Sequence, residues 1–276
     1  MGGCDLWSEN YHQLMLNLSK YYFMKITFLG TGTSQGIPVI GSRHEVCLSE
    51  DTKDKRLRSS LMLEWDDSLY VIDCGPDFRQ QLLSAKVNKL DGILFTHYHA
   101  DHTAGLDDVR PFSLRYGEVQ MYMDTSVAEN LKERFGYIFA TENRYAGAPQ
   151  VALNIFDNKE FELSGKKVIP IEVMHGRLRI FGFKIDTMAY ITDAKTVAAQ
   201  EKEKLKNLDI LIVNALRMEV HATHFNLDEA LDFIAELKPK KAYLTHISHR
   251  LGFHKKVSKE LPENVFLAYD GLVLDL

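Results

Sequence analysis

The chain has 276 residues, of which 45% are apolar and 26% charged, the balance of an ordinary soluble globular protein. That length supports a large core without disulfides or structural metals, and it excludes collagen-like, low-complexity and disordered classes. The net charge of −5 argues against nucleic acid held by bulk charge, and no apolar run reaches the ~20 residues of a membrane span.

The three cysteines, Cys4, Cys47 and Cys74, make no disulfide framework. The opening segment, MGGCDLWSENYHQLMLNLSKYYF, lacks the basic n-region and clean apolar h-region of a signal peptide, so the cytoplasm is the expected compartment. Residues 1–23 read as an extension outside the core, with Met24 as an alternative start. Residues 24–276 read as one integrated domain.

The first strand begins at Met24 (MKITFLG) and runs into the turn-rich GTGTSQGIP. Ser60–Trp65 and Leu69–Asp73 flank a short polar turn and predict a hairpin. Pro76 then opens a helix through Ala85, since proline's missing N–H costs nothing in a first turn. Gly92–Thr96 is a short apolar run, as a buried strand would be. Beyond it, Lys167–Val173, Leu178–Asp186 and Met188–Thr192 predict consecutive strands. Thr196–Leu205 is a polar helix, Asp209–Asn214 a buried strand and Leu227–Leu237 an amphipathic helix. Ala242–Thr245 and Val265–Tyr269 close the series. Two strand-rich halves, each with helices, predict two sheets face to face with helices outside.

The chemistry concentrates in Thr96-His97-Tyr98-His99-Ala100-Asp101-His102, directly after a buried strand. Neutral imidazole is a common metal ligand, and aspartate supplies a hard oxygen. His97 and His99 alternate at a strand end and aim at one point. Asp101 and His102 follow as the chain turns into a helix, and reach a second point nearby.

This HxHxDH string resembles the motif of the metallo-β-lactamase fold superfamily, over essentially Met24 to Leu276. The resemblance implies an α/β fold, a four-layer αββα sandwich with metals at one edge. It implies two divalent cations, zinc or manganese with iron also admitted. His97, His99 and His175 would hold the first. Asp101, His102 and His246 would hold the second, and Asp193 would bridge both. Asp73, in Val71-Ile72-Asp73-Cys74-Gly75, would orient a ligating imidazole; capping the helix after Pro76 is its alternative role.

Within the superfamily the chain looks most like the phosphoribosyl 1,2-cyclic phosphate phosphodiesterases (PhnP-like). The supporting strings are Gly30–Pro38 (GTGTSQGIP), Leu244-Thr245-His246-Ile247-Ser248-His249 and Tyr269-Asp270-Gly271. That resemblance implies hydrolysis of a small cyclic phosphodiester by a hydroxide held between the cations, with Asp101 and Asp193 part of the catalytic centre. His224, in His224-Phe225-Asn226-Leu227, matches the branch's general acid, with His221 as its rival. The branch also carries a structural zinc. Here Ser42 and His44 stand at two of its cysteine positions, leaving His44, Cys47 and His249 as candidate ligands for a third ion. Arg56 and Arg58, in a basic stretch with Lys53 and Lys55, are candidate phosphate anchors or a solvated basic loop. The rival readings are a tRNA 3′-processing endonuclease (tRNase Z), which shares fold and ligands, and a non-catalytic metal-binding member. No long inserted arm for a tRNA elbow is evident. The expected partner is a small phosphodiester, with neither membrane nor nucleic acid, and a symmetric homodimer is the default assembly.

Overall fold

A computed structural model describes residues 24–276; the expected N-terminal extension, with Cys4, lies outside the described residues. Strands β1 (Lys25–Gly30), β2 (Ser60–Trp65), β3 (Ser68–Ile72), β4 (Gly92–Leu94), β5 (Val119–Met123), β6 (Val151–Ile155) and β14 (Val273–Asp275) form a seven-stranded sheet in the order β14-β1-β2-β3-β4-β5-β6. Strands β7 (Phe161–Leu163), β8 (Lys166–His175), β9 (Leu178–Ile185), β10 (Met188–Ile191), β11 (Ile210–Asn214), β12 (Lys241–Thr245) and β13 (Val265–Leu267) form another, in the order β13-β12-β11-β10-β9-β8-β7.

Both sheets are mixed for the same reason. Hairpin-connected strands pair antiparallel, as β2 does with β3 and β8 with β9. Strands joined through helices pair parallel, as in β3-β4-β5 and β10-β11-β12. On the first sheet the crossovers carry α1 (Phe78–Ser84), α2 (Ala100–Thr103), α3 (Arg110–Tyr116), α4 (Thr125–Arg134) and α5 (Gly136–Phe139). On the second they carry α6 (Ala199–Lys204), α7 (Leu227–Leu237) and α8 (His254–Val257).

Continuous apolar runs are explained by burial on both faces. In β11, Ile210 and Ile212 enter the core between the sheets, while Leu211 and Val213 enter the core under α7. In β3, Tyr70 and Ile72 face inward and Val71 faces the helices of the other outer layer. Three cores therefore separate four layers, as the αββα expectation requires.

The helix predicted from Pro76 starts two residues later, at Phe78. Asp77 at its N-cap makes no capping bond, because its carboxylate serves Arg58 instead. Helix α7 matches its expected bounds: Asn226 and Glu229 exchange hydrogen bonds of 3.1 and 3.0 Å in a capping box. That box fixes the chain directly after His224. Strands β5, β6, β7 and β14 and helices α3–α5 had no sequence reading. Several are short, and β6 is only half-buried, so its periodicity is weak.

Candidate active site

Strands β3, β4, β8, β10 and β12 deliver their ends to one edge of the sandwich. Asp73 follows β3, His97 follows β4, His175 ends β8, Asp193 follows β10 and His246 follows β12. Three of these residues, Asp73, Asp193 and His246, have left-handed backbones with φ of 64°, 56° and 54°. A non-glycine residue there costs about 1–3 kcal/mol, and such strain collects at functional sites. The Gly75 backbone sits so close to the motif helix that a Cβ on it would lie 2.0 Å from the carbonyl oxygen of Asp101. Cys74 receives and returns the contact: its N–H donates to His102 O at 2.9 Å, and its carbonyl accepts from Gly105 at 2.8 Å.

Asp101, His102, Asp193 and His246 present ligand atoms that all lie within 4.8 Å of one another. Nε2 of His102 is 3.0 Å from Asp193 Oδ2 and 3.2 Å from Asp101 Oδ2. Nε2 of His246 is 2.8 Å from Asp193 Oδ1. Yet both nitrogens are buried without a hydrogen-bond partner. The groups are near, but not aligned to bond one another. Such donors fit a shared cation, which would satisfy the orphaned nitrogens.

A second set, His175, Asp193 and His224, also lies within 4.8 Å. His97 Nε2 is 3.0 Å from His99 Nδ1 and 3.3 Å from Asp193 Oδ2. The rings of His97 and His99 stand 5.8 and 5.3 Å from that of His175. The structure thus gathers at one edge every residue expected to hold the two central cations. It also places His224, expected only as an acid, within ligand distance of His175. Asp193 is common to both sets, with His97 and His102 at Oδ2 and His224 and His246 at Oδ1.

Hydrogen bonds behind the site set which nitrogen His102 and His175 offer. Asp73 is fully buried and accepts from Thr96 N, Thr96 Oγ1 and His102 Nδ1 at 2.8, 2.8 and 2.7 Å. It therefore orients His102 and caps no helix. His175 Nδ1 is 2.8 Å from the Thr223 carbonyl, so Nδ1 carries the hydrogen and Nε2 is bare. The sequence held no sign of that partner, because it is a backbone atom.

Electrostatics follow from burial and crowding. Burial alone would depress His102, but Asp101, Asp193 and Asp73 together outweigh it and raise its pKa well above the ordinary value. Burial likewise opposes the shift at Asp193, where His246 and His102 win and hold the carboxyl well below the usual range. His246 is raised to about 9, with burial overcome chiefly by Asp193. His97 is pushed well down, by burial first and then by His102, which leaves it the neutral imidazole a metal needs.

Outside this cluster one expectation is corrected. Arg56 is no phosphate anchor. It is 3% exposed, and its guanidinium donates to Thr31 Oγ1 and the Ala268 carbonyl at 2.7 and 2.6 Å and meets His254 Nδ1 at 3.1 Å. Arg56→Met should lower stability by about 2 kcal/mol, since it strips partners from buried polar groups, and should leave KM unchanged. Urea unfolding and steady-state kinetics check this. Arg58 is partly exposed but is held by Asp77 and the Ser34 carbonyl. The candidate structural-zinc residues are only partly gathered, and His249 Nδ1 is buried without a hydrogen-bond partner. Cys47 Sγ accepts from Val39 N, His44 Nδ1 accepts from Val46 N, and the His44 and His249 rings meet edge to face at 4.8 Å. Among the described residues, His44, Cys47 and His249 form no set within ligand distance.

His254, facing Arg56, is lowered to about 4, first by burial and then by the guanidinium. A histidine kept neutral by folding takes up its proton on unfolding. Stability should therefore fall as pH drops from about 6.5 toward about 4. His254→Asn retains an acceptor for Arg56 and should flatten that segment of the urea midpoint against pH; an unchanged slope would refute it.

Among the described residues no helix is long and apolar enough to cross a membrane. Residues 69–247 match the family model described as the beta-lactamase superfamily domain. An octanoyltransferase of Porphyromonas gingivalis is 39% identical over 252 residues, covering 90% of this chain but 51% of that protein. A ribonuclease Z of Listeria welshimeri is 28% identical over 172 residues, covering 59% of this chain and 49% of that one. The chain thus spans about half the length of these curated relatives. A crystal structure described as a new diphosphatase from the PhnP family superposes with a TM-score of 0.87 at 41% identity, covering 92% of this chain and 97% of that one. With the matched domain, the sandwich and the strand-end His/Asp cluster in agreement, the chain belongs to the β-lactamase superfamily, in its metallo-β-lactamase fold and PhnP-like branch.

Proposed function

We propose that the chain is a binuclear metal-dependent phosphodiesterase acting on a small phosphodiester, such as a phosphoribosyl cyclic phosphate. The observation that carries this reading is the Asp193 carboxylate, which faces imidazoles through both of its oxygens. His97, His99, His175 and Asp193 would hold one cation; Asp101, His102, His246 and Asp193 would hold the other. Bound divalent cations supply Lewis-acid polarisation of the phosphoryl group and activation of water. His97, His102, Asp193 and His246 are buried, which strengthens the charge interactions among them.

His224 is left as the proton donor to the leaving oxygen. Its Nε2 lies 3.7 Å from Asp193 Oδ1, at the inner face of the site. Burial lowers it to about 3 in the ligand-free protein, against the pull of Asp193.

The PhnP-family neighbour supports phosphorus chemistry, and its description makes a phosphoanhydride the first alternative substrate. The ribonuclease Z relatives make precursor tRNA the second. The octanoyltransferase activity of the half-matched relative belongs, in this reading, to the portion this chain does not match. Both described cysteines, Cys47 and Cys74, are buried, so neither offers an accessible thiol for acyl transfer. Turnover of phosphoribosyl 1,2-cyclic phosphate, a pyrophosphate diester and precursor tRNA by one metal-loaded preparation decides among them. Highest kcat/KM on the cyclic ester supports the proposal; cleavage of tRNA alone would overturn it.

A further inference from the structure

His221 is half-buried, and its ring centroid lies 5.0 Å from that of His224. Three atoms meet at the outer side of His224. Its Nδ1 is 3.2 Å from His221 Nδ1 and 3.0 Å from Thr223 Oγ1. The Thr223 hydroxyl is also 3.3 Å from His221 Nδ1.

The backbone fixes one role in this triangle. The Thr223 amide N–H donates to His221 Nδ1 at 3.3 Å. An amide always carries its hydrogen, so His221 Nδ1 is an acceptor and that ring's hydrogen sits on Nε2. Two bare nitrogens 3.2 Å apart would set lone pair against lone pair. If the Thr223 hydroxyl hydrogen turned to His224 Nδ1, the two bare nitrogens would face each other; turned to His221 Nδ1, it lets His224 Nδ1 carry the hydrogen between the rings, shared between the Thr223 oxygen at 3.0 Å and His221 Nδ1 at 3.2 Å, and this second arrangement avoids the repulsion. His224 Nε2 is then the nitrogen that faces Asp193 and the site.

We propose that His221, seated by Thr223, is the positioning residue for His224: it accepts the Nδ1 hydrogen and so reserves Nε2 for the substrate. The inference rests on the reading of His224 as proton donor. The logic is that of any catalytic imidazole whose far nitrogen is clamped. A ring with its Nδ1 hydrogen pinned gives and regains a proton at Nε2 without changing tautomer or rotating. Asp73 already does this for His102 and the Thr223 carbonyl for His175. His221 supplies the equivalent acceptor for His224.

The test compares His221→Leu, which removes the acceptor, with His221→Asn, whose amide oxygen can replace Nδ1. Both are made in the metal-loaded protein. His221→Leu should lower kcat about 10- to 100-fold with KM unchanged, the usual cost of losing an orienting partner. His221→Asn should restore most of kcat. Long-range nitrogen–proton correlation spectra of the zinc-loaded protein give a readout independent of turnover, with His224 assigned by its loss in His224→Ala. His224 should show a protonated Nδ1 and a bare Nε2 in the wild type and in His221→Asn, and should lose that pattern in His221→Leu. Wild-type kcat in His221→Leu, an Asn variant no better than Leu, or a hydrogen found on Nε2 of neutral His224 each overturns the inference. Wild-type kcat in His224→Ala overturns the proton-donor reading as well, and an intact tautomer pattern then shows that the parent reading was the one to fail.

Discussion

Asp193→Asn is expected to abolish turnover, with kcat down by more than the ~100-fold typical of losing an outer partner. Asp193 is 2% exposed and meets His97 and His102 through Oδ2 and His224 and His246 through Oδ1. The amide keeps the volume but removes the charge and one acceptor oxygen. The imidazoles crowded around it then face a donor where they faced an anion. Affinity for zinc or manganese should fall with activity, because one residue serves both clusters. Equilibrium dialysis of the variant against each metal, beside phosphodiester kinetics, checks this. A variant that binds two ions per chain and turns over at the wild-type rate would sink the two-cation reading. Chelation of the wild type should give a similar loss of turnover, reversed by adding metal back.

Asp73→Ala should combine a large loss of stability with a loss of activity. The carboxylate is fully buried and accepts three hydrogen bonds, from Thr96 N, Thr96 Oγ1 and His102 Nδ1. Removing it strands three donors in a dry interior and takes a partner from a buried imidazole. Breaking a buried pair of this kind costs about 3–5 kcal/mol. The lower end is expected here, since His102 keeps Asp101 and Asp193. The released ring can then rotate, and metal affinity should drop about 10- to 100-fold. A wild-type urea midpoint would show that Thr96 and His102 find other partners and would refute the orienting role.

The two variants differ in what could be read beforehand. Asp193 follows an apolar strand, in YITD, and its place in an ordered His/Asp set was implied by the family resemblance that HxHxDH carries. Central strands such as β11 were legible as continuous apolar runs because they are buried on both faces. The stretch from β5 to β7 was not, because its elements are short or half-exposed and packing decides them. Asp73 could be named but its role stayed divided, since orienting an imidazole and capping a helix need the same residue type. Arg56 and Arg58 show the harder limit. They are two residues apart in one basic stretch, yet one is enclosed against Thr31 and Ala268 and the other lies at the surface against Asp77.

The sequence by itself determined the layered architecture and the donor chemistry, because hydrophobic period, strand-end position and ligand type are properties of short segments. Only the tertiary structure decided which nitrogen His102 and His175 present and which cations are spent inside the protein. Those outcomes depend on atoms brought together from distant parts of the chain. Many of the partners are backbone groups, such as the Thr223 carbonyl and the Ala268 carbonyl, which every residue carries and no motif can mark.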